Sequence, residues 1–364
     1  MSYTFVVAFF SLFMTDLSCF NPDSASNPNN NIFGLPFEEE EARVVILPVP
    51  WEVTVSYKSG TARAPEHIKK ASMQVELLDN DLPDGWKHGI FMRDADKKML
   101  LKSDYLRKEA ELYIRYISEG ENVNDNKFMS KALKEVNAGS ELMNKWVYDE
   151  TSALLKRDKL VALLGGDHST CLGYLKAIGE KYSSFGVLQI DAHCDLRESY
   201  EGFTYSHASV MFNALKEIPQ IEKLIQIGIR DYTHCERDFI QSNAQRVITF
   251  PDRDIKERLF EQQSWKNIVD DIIIHLPQQV YVSFDIDGLD PKLCQHTGTP
   301  VMGGFETEQI FYLLRAILKS GRTLIGFDLV EVGVSPNEWD ENVGARVLYK
   351  MCNLLMASHP VSSS

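Results

Sequence analysis

The apolar run Phe185 to Ile190 has the length and composition of a buried parallel strand. It stops at Asp191-Ala192-His193-Cys194-Asp195, where three ligand-type side chains follow at once. Two further strand-like runs end the same way. Leu160 to Leu164 feeds Gly165-Gly166-Asp167-His168-Ser169, and Val280 to Phe284 feeds Asp285-Ile286-Asp287. Open α/β sheets place their sites just beyond the carboxyl ends of their strands, so three such ends predict one shared site.

The rest of the chain fits that architecture. Strands are expected at Val44 to Val49, Lys223 to Gly228, Arg246 to Phe250 and Thr323 to Val330. Helices are expected over Glu66 to Gln74, Ser103 to Ser118, Leu133 to Leu155, Thr170 to Lys181, Ala208 to Lys216, Glu261 to His275 and Glu306 to Lys319. Such alternation predicts a mostly parallel sheet with helices on both faces. No linker or repeat interrupts it after Asn31, so residues 41–364 read as one catalytic domain behind an irregular arm, 1–40, whose Asn21 to Asn31 stretch is polar and aperiodic.

Thr4 to Met14 is apolar and of signal-core length. However, no Lys or Arg precedes it, no clean cleavage site follows, and it is too short to span a bilayer. Met14 is the expected start, with residues 1–13 outside the native protein. The six cysteines form no C-x-x-C pair and read as reduced thiols in a cytoplasm. A net charge of -14 argues against nucleic acid and anionic membrane as partners, and it leans toward a cationic ligand.

His168, Asp191, His193, Asp195, Asp285 and Asp287 are oxygen and nitrogen donors without sulfur, a set that suits manganese or a similar divalent ion. Four aspartates crowded at adjacent strand ends would repel one another unless cations lie among them, and two divalent ions neutralise them. Taken singly, Asp-x-His or Asp-x-Asp after a strand is commonly a loop cap. Gly165-Gly166 alone is a tight turn, without the lysine of a phosphate loop. Three such clusters together are what carry the reading.

Gly165-Gly166-Asp167-His168-Ser169, Asp191-Ala192-His193-Cys194-Asp195 and Ser283-Phe284-Asp285-Ile286-Asp287-Gly288-Leu289-Asp290-Pro291 resemble the three motifs of the ureohydrolase family of arginases, agmatinases, guanidinobutyrases, formimidoylglutamases and guanidine hydrolases. The resemblance implies a three-layer α/β/α fold with a central, mostly parallel sheet, and a homotrimer or homohexamer. It also implies two divalent metal ions per chain, manganese with nickel as the alternative. Carried over by position, His168, Asp191, Asp195 and Asp285 hold one ion and Asp191, His193, Asp285 and Asp287 the other, with Asp191 and Asp285 bridging. By the same resemblance His207 shuttles protons and Glu331 grips the guanidinium group of a small cationic substrate.

The interval Leu196 to Ser206 lacks the Asn- and Ser-containing loop with which arginases hold an amino acid, so arginine is disfavoured. An agmatinase-type activity on a small unbranched guanidine is expected, with Glu198 or Glu201 as candidates for a distal amine. Guanidine hydrolysis is the first alternative. Formimidoylglutamase is another, with Arg197 or Lys58 as its cationic contact, and a non-catalytic binding protein on the same fold is a third. Cys294-Gln295-His296 departs from the family's usual Ala-Pro-Gly, and Trp51 and Trp339 are candidate pocket walls.

Overall fold

The computed structural model describes residues 17–360. The expectations for Met14 and residues 1–13 lie outside that range. Eight strands, β1 (Val44–Val49), β2 (Ile90–Met92), β3 (Leu160–Gly165), β4 (Phe185–Ile190), β5 (Ile221–Ile227), β6 (Val247–Phe250), β7 (Gln279–Asp285) and β8 (Thr323–Val330), form a single sheet in the order β2-β1-β3-β8-β7-β4-β5-β6. Every pairing is parallel. The four strands that carry candidate site residues, β3, β8, β7 and β4, are therefore neighbours at its centre, and their carboxyl ends open on one edge.

Among the described residues ten α-helices cover the sheet: α1 (Ala64–Ala71), α2 (Lys97–Ser118), α3 (Lys127–Lys156), α4 (Leu172–Lys181), α5 (Val210–Glu217), α6 (His234–Ser242), α7 (Asp252–Phe260), α8 (Trp265–Ile273), α9 (Thr307–Lys319) and α10 (Trp339–Ala357). Successive strand side chains point to opposite faces. Val44 and Ile46 of β1 thus join a core with Ile68, Ile272, Leu313 and Leu348 from α1, α8, α9 and α10. Val45 and Leu47 join a second with Leu106, Val147, Leu175 and Met211 from α2 to α5. Burial on both faces is why these strands read as continuous apolar runs, and the outcome is the three-layer α/β/α fold. Among the described residues, no helix is long and apolar enough to cross a membrane.

Several elements differ from the sequence expectation. The helix expected over Glu261 to His275 is shorter, α8 alone (Trp265–Ile273), and α7 before it was not expected. α7 ends at Phe260, Gln262 takes a positive φ of 67°, and Ser264 starts α8 by accepting the Asn267 N–H. α6 was missed although Thr233 and Glu236 cap it reciprocally. α10 was missed because it is buried nearly all round and so lacks a polar face to give its period away. Finally, Ile32, Phe33 and Leu35 of the arm are fully buried in the first core, with Phe33 edge-on to Tyr349 at 4.8 Å.

Candidate metal centre

The site begins with a close approach of two strand ends. Gly166 lies so near β1's exit that a Cβ there would meet the Trp51 carbonyl oxygen at 1.8 Å, and the Asp167 N–H donates to that same oxygen at 2.8 Å. Asp167 then caps the short 3-10 turn His168–Cys171, which turns His168 inward, fully buried. Trp51 itself is buried in the second core and Trp339 bonds to the Lys292 carbonyl, so neither is a wall of the cavity described below.

His168 Nδ1 lies 2.8 Å from Asp195 Oδ2, 3.1 Å from Asp191 Oδ2 and 3.3 Å from Asp285 Oδ2. His193 Nδ1 lies 3.0 Å from Asp287 Oδ2 and 3.6 Å from Asp191 Oδ1. All six candidate ligands are thus brought together, and Asp191 turns one oxygen toward each histidine. Two triads within this cluster have donor atoms close enough to hold one ion each: His168, Asp191 and Asp285, and Asp191, His193 and Asp287; a third such group, His168, Cys171 and Asp328, shares His168 with the first. Of the expected bridging pair, Asp285 has one oxygen already accepting the Asp287 N–H at 2.9 Å.

The surroundings fix the chemistry of these donors. The Ser283 hydroxyl donates to Asp328 Oδ1 at 3.0 Å, so its oxygen is left to accept the His168 Nε2 proton at 2.9 Å. The Nδ1 lone pair is thereby left for the carboxylate cluster, and Nδ1 is buried with no hydrogen-bond partner of its own. A cation is what fits such an atom. Gln189 donates to Asp191 Oδ2 at 2.8 Å and is itself held by Gln226. None of Gln189, Gln226, Ser283 and Asp328 was named from the sequence. The available signal was a polar residue inside an otherwise apolar buried strand, where each must find a partner.

Glu331, just past β8, is buried and strained at a φ of 60°. Its Oε1 accepts the His168 N–H at 2.9 Å, while Oε2 has no hydrogen-bond partner. His207 engages Thr54 and Ser206 through Nδ1, each at 3.3 Å. Both residues line a cavity of about 290 Å³ with His168, His193, Asp195, Asp285 and Asp287. Arg197 also lines it, whereas Glu198, Glu201 and Lys58 do not, Lys58 reaching instead to the Gln295 carbonyl. The divergent Cys294-Gln295-His296 segment is pinned by buried Asp340, which accepts from Cys294 Sγ and the His296 N–H, and it leads to Thr299 and Pro300 of the cavity wall.

Charge crowding shows in the protonation of these side chains. Burial, then the charge of Asp191, pushes Asp195 up to about 7. Burial, then Asp287 and Asp191, raises Asp285 well above the ordinary range. Burial works against protonated His168 and His193, but the carboxylates around them prevail and raise both. Asp191 goes the other way: burial would raise it, and the two imidazoles hold it down. Divalent ions among these carboxylates would take the place of those protons.

A pH dependence follows. Asp195 and Asp285 keep protons in the folded chain that the unfolded chain releases near about 3.9, so the stability tied to them falls as pH rises toward about 7 and beyond. His168 and His193 act in the same sense, because stability present below their unfolded value is lost as pH climbs through the raised folded one. Asp191 loses its contribution only in stronger acid. The metal-free protein is therefore expected to melt at progressively lower temperature from about pH 5 to about pH 8, and divalent ions, by replacing the protons, should remove that slope. A scanning-calorimetry series that is flat or rising without metal would contradict the crowded site.

A parallel α/β sheet here gathers aspartates and histidines at its central strand ends, beneath a small polar cavity, as a donor set fit for divalent ions. The chain belongs to the Arginase family, whose model matches residues 42–353. Membership makes it a ureohydrolase, an enzyme of guanidino C–N bonds that depends on a pair of metal ions. It is 32% identical over 317 residues to N(1)-aminopropylagmatine ureohydrolase of Thermus thermophilus, covering 86% of this chain and 91% of the relative. It is 31% identical over 220 residues to guanidinobutyrase of Pseudomonas aeruginosa, covering 57% and 65%. The fold is similar to that of proclavaminate amidino hydrolase from Streptomyces clavuligerus, with a TM-score of 0.69, 21% identity, and 92% and 100% of the two chains covered.

Proposed function

We propose that the chain hydrolyses the guanidino C–N bond of a small unbranched guanidine and releases urea. By the family resemblance one divalent ion would be held by His168, Asp191, Asp195 and Asp285 and the other by Asp191, His193, Asp285 and Asp287. Glu331 carries the reading, because its unpartnered Oε2 is a buried carboxyl oxygen in the same cavity as the carboxylate cluster, where a bound guanidinium would hold the group ionised and donate to it. When bound, the ions supply an acidified water and the positive charge that stabilises a tetrahedral carbon.

This chain's own residues do the rest. Glu331 fixes the planar guanidinium and keeps it cationic, and so more electrophilic at carbon. Burial, then His193 and His168, pushes His207 down to about 3, so it rests as a neutral imidazole, and the family resemblance is what makes it the proton shuttle to the leaving nitrogen. Its Nδ1 is engaged by Thr54 and Ser206, which leaves Nε2 for that transfer. An oxygen- and nitrogen-only donor set favours manganese, with nickel as the alternative. The family resemblance supports a homotrimer or homohexamer, residues 41–364 as one catalytic domain, and a cytoplasmic setting in which Cys171, Cys194, Cys294 and Cys352 stay reduced.

The test is urea release by metal-loaded protein from agmatine, 4-guanidinobutyrate, guanidine and arginine. At least one of the first three is expected to yield urea. Arginine is expected to be turned over more slowly by several powers of ten, because its α-ammonium and α-carboxylate would be buried unpaired. Arginine as the best substrate, or no urea from any of the four, would refute the reading.

A further inference from the structure

We propose that Arg197 sorts substrates by the charge at their far end: it admits guanidines whose tail is anionic or uncharged and turns away those ending in an ammonium. The assignment rests on the ureohydrolase reading above and names the substrate class of that same cavity.

Arg197 stands two residues beyond Asp195, and its side chain lines the cavity together with Glu331 and His207. Its position is set by stacking. The guanidinium carbon lies 4.5 Å from the centroid of the Tyr200 ring, and that ring meets His207 edge-on at 5.8 Å. Nε lies 4.0 Å from Glu236 Oε2. Among the described residues, no hydrogen bond is made by either terminal nitrogen, so two donors of a planar fork are uncommitted in the cavity wall.

The acids nearby do not cancel this. Glu236 also lines the cavity, but it is buried and both its oxygens are engaged: one accepts the N–H and hydroxyl of Thr233 at 2.9 and 2.8 Å, and the other accepts the Leu196 N–H at 3.2 Å. Glu201, which lies in the field of Arg107 and Arg197, is not part of the cavity lining. Asp231 does line the cavity, but it is exposed, so water and salt screen it. A tail that enters while its guanidinium end is on Glu331 therefore meets an arginine that cannot discharge. A carboxylate there gains a forked, charge-assisted contact, and an ammonium meets a like charge as it loses water.

Agmatine and 4-guanidinobutyrate have the same chain length and differ in tail charge, which makes them the probes. The metal-loaded wild-type protein, compared by kcat/KM where urea forms and by calorimetric titration where none does, is expected to favour 4-guanidinobutyrate by at least about tenfold. Arg197→Leu is expected to bring the ratio near one, Arg197→Glu to invert it, and Arg197→Lys to keep the preference in weakened form, since charge survives without the fork. A wild-type ratio near one or in favour of agmatine would overturn the proposal, as would an unchanged ratio in Arg197→Leu. The wild-type comparison decides even if a variant fails to fold. Urea is followed in the same samples: tail preference without urea from any guanidine would sink the ureohydrolase reading and leave the charge sorting in place.

Discussion

Asp191→Ala is expected to strip the protein of both metal ions and to cut urea release by more than about 100-fold, because even outer partners of metal ligands are worth about 10- to 100-fold. The reason is geometric. One Asp191 oxygen is 3.1 Å from His168 Nδ1 and the other 3.6 Å from His193 Nδ1, so a single carboxylate serves both triads. Its ionised form is also held by the two imidazoles against burial, whereas burial raises Asp195 and Asp285. Asp285→Ala is expected to behave like it, whereas His168→Ala removes one donor from one triad and should retain more metal. Elemental analysis after exhaustive dialysis ranks the three, and full metal content in Asp191→Ala would refute the shared role.

Glu331→Gln is expected to lose activity while keeping its metal. The amide can still accept the His168 N–H through the oxygen now at Oε1, but it no longer offers an anion to the guanidinium. Removing one partner of a buried charge pair costs about 2–5 kcal/mol, a fall of roughly 30- to 4,000-fold in kcat/KM. Burial, then the nearby charge of Asp167, raises the Glu331 carboxyl far above its ordinary range, so substrate binding must restore the charge that the bare cavity resists. The neutral amide relieves that conflict, and thermal stability is therefore expected not to fall. An activity within about threefold of wild type would remove Glu331 from the substrate site.

Most of the site was legible because its residues sit where chemistry and fold rules coincide. Asp191 and Asp285 directly follow or end β4 and β7, runs whose burial on both faces makes them conspicuous, and His168 follows the glycine pair that lets β3 leave beneath Trp51. Less visible was the support. Ser283 and Asp328 face each other across β7 and β8, a register that no local pattern announces. The same limit explains Glu201: a charged residue in the right loop was a fair candidate for the cavity, and only the fold shows that Arg197 lines it instead. α10 escaped for a different reason, since a helix buried on all sides has no amphipathic signature.

The account stands or falls on two ions acting at one cavity. Metal-free protein should be titrated with manganese while urea release from a small guanidine is followed. The rate is expected to be negligible at first and to level off at two equivalents per chain, as the two triads sharing Asp191 require. A plateau at one equivalent, or urea released without added metal, would contradict it.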